Sequence, residues 1–227
     1  MQELLKRIQI RVNEKIYVKD PESSELGRNL VNESIIIIHK LGIEAFTFKK
    51  LATALGTAES TIYRYFENKH KLLIYLLAWF WGWLEYEIVL ITMNISDPEE
   101  KIRKTIETLS DPLKDEMEHE HVDLKILHEI VISESAKSFL TKDVDAENEI
   151  GFFGNYKRIC ERFIKNIEEL NPGYPFSKTL ALTTVQCVNQ HRFFAIHFPN
   201  ITNISPQGKE LGRFLSDMVL KTIKQSK

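Results

Sequence analysis

The chain has 227 residues, 43% apolar and 27% charged, with a formal net charge of −2. That balance buries a core in one large or two modest domains and excludes a disordered polymer, and two cysteines without metal-type spacing, Cys160 and Cys187, read as buried thiols. The longest uncharged apolar run, Leu72 to Leu84, has 13 residues. It falls short of the roughly 20 that span a bilayer, and the polar start Met1-Gln2-Glu3 is unlike a secretory signal, so a cytoplasmic protein outside the membrane is expected.

In chain order, "KRIQIRVNEKIYVKD" (Lys6 to Asp20) reads equally as helix or extended chain. Asp20-Pro21 opens a helix whose apolar face is Leu26, Leu30, Ile37, Ile38 and Leu41, and Gly42 stops it. Thr47 caps a short helix with Phe48, Leu51, Ala52 and Leu55 at i, i+3, i+4 and i+7, stopped by Gly56. A third helix runs from about Ala58 to Phe66, with Ile62 and Phe66 inward, and Asn68 caps a long fourth from Lys69. Asp97-Pro98 opens the next helix. Beyond it lie two apolar stripes, Leu124, Leu127 and Val131, then Phe153, Tyr156, Cys160, Phe163, Ile164 and Ile167. "NPGYP" (Asn171 to Pro175) breaks the chain before a helix from Phe176 to Phe198. The last helix carries Leu211, Phe214, Leu215, Met218 and Val219 on one face. The expected fold class is all-α.

Charge is uneven. Residues 1–72 carry 12 Lys and Arg against 9 Asp and Glu, and the remainder carries 18 against 23. A mildly basic front on an acidic body permits a local phosphate-binding face without requiring one. The front also holds three short helices, the last two joined by a tight Gly turn, which is a helix-turn-helix arrangement. In that arrangement the second helix of the pair enters a DNA major groove while hydroxyls, amines and helix N-termini hold phosphates. The hydroxyl-rich, lysine-flanked stretch "TFKKLATALGTAESTIYRYFENKHKLL" (Thr47 to Leu73) has the side chains such work needs.

At these residues the sequence resembles the TetR family of bacterial transcriptional regulators. The match is F-T-F-K-K-L-A-x-x-L-G-x-x-x-x-T-I-Y-R-Y-F-x-N-K-x-x-L, Phe46 to Leu72, with Thr61 to Lys69 its most specific part. With the preceding helix the resemblance covers about residues 22–75. It implies an N-terminal extension (1–19), a three-helix DNA-binding head (20–68) and a helical effector-binding and dimerisation body (69–227). The implied function is a regulator, most often a repressor, that binds a double-stranded operator as a homodimer and responds to a small-molecule effector. Carried over by position, Thr47, Thr61, Tyr63 and Lys69 are expected at phosphates, and Lys49 on the same DNA-binding face, although Lys49, Lys50, Lys69 and Lys71 also read as a solvated face. Glu59, Ser60 and Tyr65 are expected at bases, and Arg64 at either. Glu59 stands where many relatives have Lys; an acid there repels phosphate and accepts from a cytosine amino group.

Tyr63 and Tyr65 have an alternative role as structural aromatics. The aromatic excess at Trp79, Trp83, Phe152, Phe153, Tyr156, Phe163 and Phe194 reads either as the wall of an effector cavity or as core filling. "HEH" (His119 to His121) with His128 lacks a diagnostic ligand spacing, so neither a metal nor a cofactor is expected. No phosphate-cradling Gly loop, GxSxG or HExxH occurs, so an enzyme is not expected. The competing reading is an all-helical interaction protein whose head no longer reads DNA. A homodimer is expected through the last two long helices, by way of the Leu211 to Val219 stripe.

Overall fold

The computed structural model describes residues 10–113, 122–206 and 209–225. Among them every regular element is helical and no β-strand occurs, in agreement with the expected class. Several helices begin where a side chain accepts from their free first-turn amides. Ser24 accepts from Gly27 at the start of α1 (Glu25–Ala45), and Thr47 from Lys50 before α2 (Phe48–Ala54). α3 (Glu59–Tyr63) starts at Ala58 with no side-chain cap. Asn68 Oδ1 accepts from Lys71 N at 2.9 Å in the first turn of α4 (Lys69–Thr92). Asp97 takes the amides of Glu99 and Glu100 in α5 (Pro98–Ser110), and Asp123 that of Ile126 in α6 (Leu124–Glu134). The short α7 (Ala136–Phe139) and α8 (Val144–Glu149) precede three long helices, α9 (Gly154–Leu170), α10 (Ser177–His197) and α11 (Glu210–Gln225).

Two features of α1 differ from expectation. Asp20-Pro21 opens only a 3₁₀ turn, Pro21–Ser23, because Ser24 is extended (φ −154°) and caps α1 one turn later. The inward face of α1 is also rotated. Leu30, Val31, Ser34, Ile35 and Ile38 are buried, whereas Leu26 and Leu41 are exposed. Gly42, at φ 74°, breaks the regular part of α1 where a stop was expected.

The chain divides into two compact units, residues 1–82 with 116–155, and residues 83–115 with 156–227. This differs from the expected boundary at 68/69, since the first half of α4 and the segment around α6 to α8 cluster with the head. The boundary falls inside α4, between Gly82 and Trp83. α4 is long and apolar enough to cross a membrane, with mean hydropathy 1.4 over its most apolar window, yet 67% of that window is buried inside the protein. Burial of Leu72 through Trp81 therefore accounts for its composition.

In the first unit, α1 packs on α2 and α6, and His39 Nε2 meets Glu129 Oε2 across the α1–α6 contact at 2.6 Å. In the second unit, α11 packs on α5 and α10. Its core includes Ile102, Ile106, Phe163, Ile167, Leu211, Leu215 and Val219. Arg192 of α10 is 5% exposed, and its guanidinium donates to the carbonyls of Ser110, Ser205 and Pro206. It fastens the end of α5 to the turn that precedes α11.

Candidate nucleic-acid interface

α2 and α3 are held at a fixed angle by their turn and their inner residues. Gly56 has φ 61°, a region an L side chain enters only with strain. With Gly there, Thr57 N reaches Ala52 O (2.9 Å) and Gly56 N reaches Thr53 O (3.2 Å), the paired bonds that close a helix end. Phe48, Leu51 and Ala52 of α2 and Ile62 of α3 are buried, together with Phe46 and Phe66. α3 is shorter than expected. After Tyr63 the amides of Tyr65 and Phe66 both bond Ile62 O, at 2.9 and 3.1 Å, and the chain tightens before Asn68.

Above this core Thr47, Lys49, Glu59, Ser60, Tyr63 and Arg64 are exposed. Thr61 is half-buried, and its Oγ1 accepts from Thr57 Oγ1 at 3.1 Å. The Tyr63 ring stands edge-on against Phe48 with centroids 5.0 Å apart, yet the side chain is 50% exposed, so its base is fixed and the rest is open to a ligand. Thr47 Oγ1 accepts the Lys50 amide and keeps its own proton to donate. Lys69 Nζ donates to Ile43 O and Glu44 O, both at 3.0 Å. Two of its three donors thus hold the end of α1, leaving one for an anion. Lys50 Nζ similarly donates to Ala45 O at 2.7 Å. An array of hydroxyls, one guanidinium, amines and one carboxylate on a rigid pair of helices is suited to phosphate oxygens and base edges.

Tyr65 corrects the expectation that it faces bases. It is 3% exposed, and its hydroxyl lies 2.9 Å from Ser24 Oγ and 3.5 Å from Lys19 Nζ. The Ser24 hydrogen bond, outweighing the opposing effect of burial and joined by Lys19, holds its phenol below the ordinary value. Residue 65 follows the last turn of α3, where the chain has already bent inward, so its ring turns to the residues preceding α1. Lys19 and Ser24 are the members of this region that sequence reasoning missed. For Lys19 the signal lay in the ambiguous "KIYVKD", whose side chains alternate without a helical stripe.

The seven aromatics assigned to a cavity wall divide between the units. Trp79 and Phe152 are buried in the first, where the Lys71 ammonium lies 4.2 Å from the Phe152 ring centroid and Phe153 packs on Phe139. In the second, Trp83 and Phe163 are buried, Phe194 packs on Phe193 and Phe198, and Tyr156 OH donates to Gln186 Oε1 at 3.3 Å. A large open groove of about 1500 Å³ in the second unit is lined instead by residues such as Arg103, Ser110, Arg192, Ile201, Arg213 and Phe214, and by none of the seven. His128 stacks on Phe80 at 5.4 Å; His119 and His121 lie outside the described residues.

No curated protein sequence matches the chain. Solved structures do match in fold. A bacterial regulatory protein in the tetR family from Rhodococcus RHA1 superposes with TM-score 0.63 at 14% identity, over 88% of this chain and 97% of its own. The fatty acid degradation regulator FadR from Bacillus halodurans gives 0.61 at 17%, over 87% and 95%. AibR, solved with isovaleryl coenzyme A and operator DNA, gives 0.57 at 15%, over 86% and 97%. Residues 34–76 match the family model described as bacterial regulatory proteins, tetR family. That stretch contains the end of α1, α2, the Gly56 turn, α3 and the start of α4, so over these residues the chain is similar to the tetR family's model.

Proposed function

We propose that this protein is a DNA-binding transcriptional regulator that reads a near-palindromic operator as a homodimer and represses until a small-molecule effector binds. The observation that carries the reading is the exposed set Ser60, Tyr63 and Arg64 standing on the buried Ile62 and Phe66. In a helix-turn-helix, that is the face that meets a major groove. Structural neighbours solved with operator DNA and isovaleryl coenzyme A, or with choline, support a scaffold that serves both partners.

The homodimer part rests on the second unit, with a change in the residues used. Leu211, Leu215 and Val219 are buried within the chain, so the stripe assigned to the interface is occupied by α5 and α10. The apolar residues left exposed include Leu182 and Ile196 on α10, Phe198 and Ile201 just after it, and Phe214 on α11. Several exposed apolar side chains on two neighbouring helices suit a twofold contact.

The test is a binding selection on random duplexes with the full chain, followed by titration of the enriched site. Enrichment of an inverted repeat supports the proposal. Enrichment of nothing, together with no complex at low salt, overturns it in favour of a helical interaction protein, a reading that the exposed Glu59 carboxylate on the same face would then explain.

A further inference from the structure

Residues 10–24 are fastened at both ends within the first unit. At one end, Asn155 Nδ2 donates to Arg11 O (3.2 Å) and to Ala78 O inside α4 (2.7 Å), and Asn13 Nδ2 donates to Ile150 O at 2.9 Å. Gly82 makes this approach possible, since a Cβ there would lie 2.5 Å from Asn155 Nδ2 and 2.7 Å from Ile10 Cγ2. In the middle, Ile16 is buried and Tyr17 packs edge-on against Tyr75 with centroids 6.1 Å apart. At the other end, Val18 N donates to Tyr65 O at 2.8 Å. There the Tyr65 hydroxyl meets Ser24, and the Lys19 ammonium sits 5.1 Å from the Tyr65 ring centroid.

One continuous segment therefore joins the stretch 150–155, at the start of α9, to Tyr65, two residues beyond the end of the reading helix. From this we infer that residues 10–24 are a positioning strap that sets how α3 is presented to DNA, with Asn13 and Asn155 as its remote anchors and Tyr65 as its point of action. The strap's bonds to Tyr65 hold the segment after α3 by its backbone carbonyl and its side chain at once. A shift at 150–155 is then passed to α3 along this hydrogen-bonded and packed segment. A packed or hydrogen-bonded segment with defined ends transmits such displacement because interiors are close-packed and yield little. The inference rests on α3 reading DNA, as proposed above.

Two measurements on the full chain separate the strap from that reading. The first needs no DNA: amide hydrogen exchange at residues 62–66 in Asn13→Ala and Asn155→Ala. Loss of one or two hydrogen bonds at the remote end should speed exchange there by about 2- to 10-fold. Faster exchange confined to 10–16 and 150–155 overturns the strap. Asn13 is half-exposed and outside the core, so its variant decides the matter even if Asn155→Ala does not fold. The second measures, for Asn13→Ala and Tyr65→Phe, the ratio of affinities for the selected site and for the same site with one base pair changed. The ratio should fall about 2- to 10-fold while the salt slope keeps its wild-type value. Equal weakening on both duplexes overturns the positioning role. If the wild type selects no site, the DNA reading fails and the exchange result still judges the strap.

Discussion

At the scale of single residues, the exposed side chains of α3 divide by chemistry. Ser60→Ala should relax preference at one or two base pairs, by about 1–3 kcal/mol each, in competition binding against single-base variants of the selected site. Lys69→Ala should instead weaken all duplexes alike and make the salt slope shallower. Because Lys69 also holds Ile43 O and Glu44 O, the same change should lower the unfolding midpoint, which a mere surface lysine would not do. A different residue governs alkaline behaviour. Burial pushes the Cys160 thiol up from its ordinary value of 9.0 to about 11. Between those two values the unfolded chain has lost a proton that the folded chain keeps. Stability is therefore intact below pH 9 and declines from pH 9 to 11. Urea midpoints at pH 8 and 10.5 should show the drop, and Cys160→Ala should reduce it. Burial of Tyr156 beside Cys160 raises that phenol as well, so some loss persists above pH 10.

Helices and turns give sharper contrasts. In α11, Leu215 is fully buried and Phe214 is 47% exposed. Leu215→Ala should cost about 2–5 kcal/mol of unfolding free energy, whereas Phe214→Glu should spare the urea midpoint at low protein concentration and shift sedimentation toward the monomer. Gly56→Ala places a Cβ at φ 61° and should destabilise the head by about 1 kcal/mol, visible as reduced DNA affinity and earlier melting. These elements also show what the sequence made legible. Caps at Ser24 aside, Thr47, Asn68 and Asp97 were readable because a short acceptor before an apolar period has one structural meaning. The inner face of α1 was not, because four successive isoleucines, Ile35 to Ile38, fit more than one helical register. For α11 the stripe was readable but its partner was not, since an apolar face does not say whether it meets its own chain or another. Tyr65 lay beyond reach for a related reason. A local motif places a side chain by its spacing, but the residues that bury Tyr65 come from Lys19 and Ser24, more than forty positions earlier.

For the whole molecule, a net charge of −2 with the basic excess confined to residues 1–72 means that, on the proposed function, DNA would be attracted by a local face. Each head offers few cations, and Lys50 and Lys69 already give hydrogen bonds to α1. Two heads meeting roughly four to eight phosphates should give a slope of log K against log salt on the order of −4 to −7. Titrations across about 50–200 mM salt should return that slope for matched and unmatched duplexes alike, with the matched curve displaced to tighter binding.

The unit that contains the head is discontinuous in sequence, drawing on residues 1–82 and again on 116–155. A chimera that transplants only residues 20–68 onto a foreign sensor would leave behind the apolar start of α4, the α6 helix that covers α1, and Asn155. Such a graft would present Leu30, Ile35 and Ile38 without their native cover and would aggregate rather than report. Recombining this chain therefore calls for moving residues 116–155 together with the head, or for replacing individual α3 side chains within an otherwise intact chain.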